Sequence, residues 1–108
     1  MMNSDAYIRQ RADEKKRATA AIATALATID GEQREPDPWE REHLYIAVMS
    51  AFHGRYRLAA AYAEKALTPT DDRDPFAEDL GLDDCDLAAF RILLSNAEST
   101  PPKTNVGK

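Results

Sequence analysis

The chain has 108 residues, enough for one domain, with 44% hydrophobic and 31% charged residues. That composition is globular; it fits neither a disordered chain nor a membrane protein. Fourteen Lys and Arg against nineteen Asp and Glu give a net charge of −5, which argues against direct nucleic-acid binding, since such binding rests on cations neutralising phosphates. The lone cysteine, Cys85, allows no internal disulfide. The opening residues hold no apolar run of the signal-peptide kind, and the densest apolar stretch, residues 44–52, is too short to span a bilayer. The expectation is a soluble, cytoplasmic protein.

The first predicted helix runs from about residue 5 to 29, with Ser4 as its N-cap and Gly31 just past its end. Its first half, RQRADEKKR, reads as a solvated face. Its second half places Ile22, Leu26 and Ile29 at helical spacing, with Ala23 and Ala27 beside that stripe. The second helix has the clearest start signal in the chain: Asp37 as N-cap, Pro38 at the first helical position and Glu40 completing a capping box. The run LYIAVMSAF that follows is apolar almost all round, which places this helix at the centre, covered on several sides. Gly54 breaks the run, and a third helix spans about residues 56 to 67, with Ala59, Ala63 and Ala66 on one face and Tyr56 and Tyr62 beside them.

The connector TPTDDRDPFAEDLGLDD carries two prolines, Gly81 and a charge of −7 over residues 71–86, and is expected to be pinned by Phe76, Leu80 and Leu82. A last helix starts near Asp83, ends near Ala97 and buries Leu87, Phe90 and Leu94. Residues 1–98 then form one helical domain and residues 99–108 a disordered tail. No strand pattern survives, so the predicted class is all-α: a central helical hairpin with a helix on each flank.

That hairpin resembles a single tetratricopeptide repeat over residues 43–69. The run G-R-Y-R-L-A-A-A-Y-A-E-K-A-L carries the likeness through Gly54, Tyr56, Ala59, Ala63, Ala66 and Leu67. Ile46 and Ala47 match the family's large-then-small pair. His43 stands where a tryptophan is common, Ser50 where a tyrosine is common, and Pro69 comes two residues early. The likeness implies a protein-interaction module and not an enzyme. Neither flanking helix repeats the pattern, so the usual superhelical groove is not expected.

Sequences that carry chemistry are incomplete. Glu40 and His43 have the Glu-x-x-His spacing of di-iron bundles, but the second half-site is missing because Ser50 precedes His53 at that spacing. Asp72 and Asp74 open like a calcium loop, yet Ala77 stands where the turn needs glycine and Asp83 where a glutamate should close it. Cys85 is surrounded by Asp83, Asp84 and Asp86, which disfavour a thiolate. Arg55 and Arg57 after the turn suit a helix-turn-helix, against which stands the global charge. No cofactor or metal is expected.

The reading is a small non-catalytic protein that binds another protein, with a homodimer as one form this could take. Trp39, Tyr45 and Met49 are the candidate apolar contact residues. The alternative is an acidic inhibitor or decoy for a basic, nucleic-acid-handling protein, acting through Asp71, Asp72, Asp74, Glu78 and Asp79.

Overall fold

The structure, a computed structural model, describes residues 4–68 and 85–101. These form four helices, α1 (Ser4–Gly31), α2 (Pro38–Phe52), α3 (Tyr56–Ala66) and α4 (Leu87–Ser99), and the described residues contain no strand. The domain is an all-α four-helix bundle.

In α1 the apolar stripe packs as its spacing demands, with Ile22, Leu26 and Ile29 buried. The small residues on the packed face are Ala18 and Ala25, whereas Ala23 and Ala27 face solvent. Residues 18, 22, 25 and 29 are successive i, i+3/i+4 neighbours, and that register turns 23 and 27 outward. The helix also ends otherwise than expected. Gly31 is its last helical residue, and the chain reverses at Gln33, which takes a left-handed φ of 57°. Glu32 and Gln33 donate back to the carbonyls of Ile29 and Asp30 at 3.1 and 2.9 Å.

α2 starts with the expected capping box. The Asp37 carboxylate accepts from the Glu40 amide, and the Glu40 carboxylate accepts from the Asp37 amide, both at 2.8 Å. α2 ends in a Schellman motif: the Arg55 amide donates to Ser50 (2.8 Å) and the Gly54 amide to Ala51 (3.1 Å). This geometry requires a left-handed residue, which Gly54 supplies with φ 82°. The far end of the hairpin is closed by Trp39 Nε1, which donates to the Lys65 carbonyl at 2.9 Å. α2 and α3 are therefore antiparallel along their length. Ala59, Ala63 and Ala66 are buried, which allows the close approach of α3 to α2 and α1.

Ion pairs and backbone capping orient the flanking helices. Arg11 of α1 donates to the Gly54 carbonyl. At one end of α4, Arg91 pairs with Asp30 at 3.0 Å; at the other, Lys15 Nζ donates to the carbonyls of Glu98 (2.7 Å) and Thr100. α4 thus runs antiparallel to α1, and the bundle is up-down-up-down. Phe90, Ile22, Ile29, Leu44 and Val48 form the fully buried centre.

α4 begins at Leu87, four residues later than expected. Asp86 and not Asp83 is its N-cap, accepting from Ala89 at 2.9 Å, and Glu35 from the α1–α2 loop accepts from the Leu87 amide at 2.8 Å. Asp83, Asp84 and the connector pinned by Phe76, Leu80 and Leu82 lie outside the described residues, as do residues 102–108. The domain limit drawn at residue 98 falls in the last turn of α4, which ends at Ser99. No helix among the described residues is long and apolar enough to cross a membrane.

Candidate functional site

The apolar character of α2 exceeds what its neighbours cover. α1, α3 and α4 bury Leu44, Ala47, Val48 and Ala51, while Tyr45, Ile46 and Met49 remain half-buried. Those three residues, with Ser50, His53 and Arg55, line a groove of about 580 Å³. Tyr45, Ile46 and Met49 make one part of its lining apolar, and its polar groups gather at the Gly54 end, where the Schellman turn places His53 and Arg55. Such a site can receive apolar side chains without forming a bond.

Of the three apolar candidates, Tyr45 and Met49 line this groove and Trp39 does not. Its ring stacks on His43 with centroids 4.1 Å apart, and its N–H is held by the Lys65 carbonyl. His43 in turn donates from Nδ1 to the Trp39 carbonyl at 2.9 Å and lies 5.7 Å from the Tyr62 ring. Trp39 fastens the α2–α3 hairpin at the end opposite the groove's His53 and Arg55. The five carboxylates named for the acidic reading, Asp71, Asp72, Asp74, Glu78 and Asp79, lie outside the described residues.

A second concave region went unread in the sequence. Three adjoining depressions follow the seam between α1 and the start of α3, and Glu14 and Arg57 line all three. Glu14 accepts from Arg11 (2.7 Å) and Arg57 (3.0 Å), and Arg11 lies over the Tyr56 ring at 4.7 Å. Burial pushes the Glu14 carboxyl up, but the hydrogen bonds and charges of Arg11 and Arg57 outweigh it and hold the group below its ordinary value. The spacing of Gln10, Glu14 and Arg17 on one helix side was the available signal, hidden in a run that reads as uniformly solvated.

Glu40 and His43, the pair with metal-site spacing, face different partners. Both oxygens of Glu40 are gripped by the Arg34 guanidinium at 2.6 Å, and one also accepts from the Asp37 amide. Burial pushes this carboxyl up; Arg34 and the Asp37 amide reverse that and keep it below the usual glutamate range. No three His, Cys, Asp or Glu side chains gather as a metal site among the described residues. Cys85 is half-buried just ahead of the α4 cap, and its carbonyl accepts from Arg41 Nε at 3.2 Å. Compared with family models, curated proteins and solved structures, the chain has no match.

Proposed function

We propose that this chain is a non-catalytic protein–protein interaction module and that its contact surface is the Tyr45–Ile46–Met49 groove. The observation that supports this is the excess of apolar surface on α2. The run LYIAVMSAF of α2, apolar almost all round, has three neighbours among the described helices and keeps one open, concave apolar face. The occupant that fits is an amphipathic helix of a partner protein, apolar along its seam and carrying a carboxylate opposite Arg55. The glycine-turned, alanine-lined hairpin supports a tetratricopeptide-like reading of the same module, here a single unit presenting its outer face.

The acidic-decoy reading draws no support from the described carboxylates of residues 35–40. Asp37 and Glu40 form the α2 cap, and Glu35 caps α4. Capture of partner proteins on the wild-type chain and on a folded Tyr45→Ala/Met49→Gln variant, at low and at high salt, tests the proposal. Capture that persists at high salt and falls on the order of tenfold or more in the variant supports the groove. Capture untouched by the double substitution, or abolished by salt alone, overturns it.

A further inference from the structure

The seam between α1 and α3 concentrates positive charge in an otherwise acidic protein. Its lining holds Arg9, Arg11, Arg17, Arg55 and Arg57 against Asp13 and Glu14. Fold stability accounts for part of this. Arg11 binds the Gly54 carbonyl and Glu14 and covers Tyr56. It does not account for Arg55 and Arg57. They occupy the N-cap and second position of α3, where the helix dipole favours carboxylates, and the first turn of α3 contains no acidic residue and no side-chain cap. Among the described residues Arg57 pairs with Glu14 alone, and it is 83% exposed.

Apolar surface accompanies the charge. Tyr7 and Leu58 line the same seam, and Leu58 and the neighbouring Ile8 are among the few large apolar residues exposed on the bundle. The complementary sequence is in the chain itself. Residues 71–79, DDRDPFAED, carry a net −4 with Phe76 in the middle. The described residues flanking that run sit at the opposite end of the bundle. Lys65 is held to Trp39, and Cys85 is held to Arg41. Residues 30–42 at that end carry −4. The described part of the bundle is therefore basic at its Gly54 end and acidic at its Asp37 end. A nucleic-acid backbone fits the seam less well, because Asp13 and Glu14 interrupt the arginines where a phosphate chain would run.

We infer that the α1–α3 seam receives the acidic run 71–79 of a second copy of this chain, its carboxylates against Arg9, Arg17, Arg55 and Arg57 and Phe76 against Tyr7 and Leu58. The contact joins unlike surfaces, so it is heterologous and propagates head to tail. It meets the α2 groove at Arg55, which lines both, and otherwise uses different residues, so it does not depend on the function proposed for that groove.

Sedimentation velocity on the intact chain tests this with two variants, Arg17→Gln/Arg57→Gln (seam residues that do not line the α2 groove) and Asp71→Asn/Asp72→Asn/Asp74→Asn, each checked for native helicity. The wild type should grow in mass with concentration at low salt and return to one chain at about 0.5 M salt, where the screening length falls to a few ångströms. Each variant alone should fall short of the wild-type mass. Mixed, the two should form a one-to-one pair, because one retains the acidic run and the other the arginine seam. A wild type that stays monomeric up to millimolar concentration overturns the inference, as does association that both variants retain or a mixture that forms no pair.

Discussion

Glu40 shows how one carboxylate can accept three hydrogen bonds from two partners and still be charged while buried. It is 5% exposed and accepts from Arg34 through both oxygens and from the Asp37 amide. Its folded pKa lies below that of the unfolded chain. Its stabilisation is therefore complete above the ordinary glutamate range and is lost as pH falls through the lowered value. Glu40→Gln keeps the cap geometry but loses the charge. It should destabilise by about 1–3 kcal/mol at pH 7, and urea titrations should show the gap to wild type closing on acidification. Backbone conformation makes a matched pair of predictions. Gly54 at φ 82° and Gln33 at φ 57° are both left-handed, a conformation that costs a residue with a Cβ about 1–2 kcal/mol. Gly54→Ala should lower the melting temperature, and Gln33→Gly should raise it.

Among the elements, α3 depends most on small side chains. Ala63→Leu should overpack the approach of α3 to its neighbours and cost about 1–3 kcal/mol, read by thermal melting. An unchanged melting temperature would show that this face is not tightly packed. α4 depends instead on groups donated by other elements. Glu35 satisfies its first amide, and Lys15 holds two of its last carbonyls. Lys15→Met should therefore destabilise by about 1–2 kcal/mol although it removes no apolar contact. The contrast explains what could be read in advance. The limits of α2 and α3 are local: a capping box within four residues and a glycine at the turn both show in the sequence. The start of α4 rests on its local cap Asp86 and on Glu35, which lies 52 positions from Leu87; the cap is one of three nearby aspartates, and only the distant partner distinguishes it. The groove residues Tyr45 and Met49 were legible because an all-apolar helix must leave something uncovered. Trp39 is also partly exposed but stands apart from them, because its partner Lys65 belongs to another helix. The arginine seam was missed for a related reason: it exists only once α1 and α3 lie side by side.

At the scale of the whole molecule, charge follows the chain's up-and-down path. Two helix starts, those of α2 and α4, share the Asp37 end, and Asp37, Glu35 and Asp86 serve them there. The last carbonyls of α4 lie at the other end, where Lys15 meets them. The anchoring of α4 has a consequence for the chain's continuity. Leu87, Phe90, Leu94 and Ala97 are buried, and both ends of the helix are held by α1 and the α1–α2 loop. A protease site engineered into that stretch would sever the backbone yet leave those contacts in place. The nicked protein should elute as one particle when concentrated. On dilution it should separate into two fragments, because cutting the tether removes an effective local concentration on the order of millimolar. The bundle would then be a split protein, able to be reassembled from its halves.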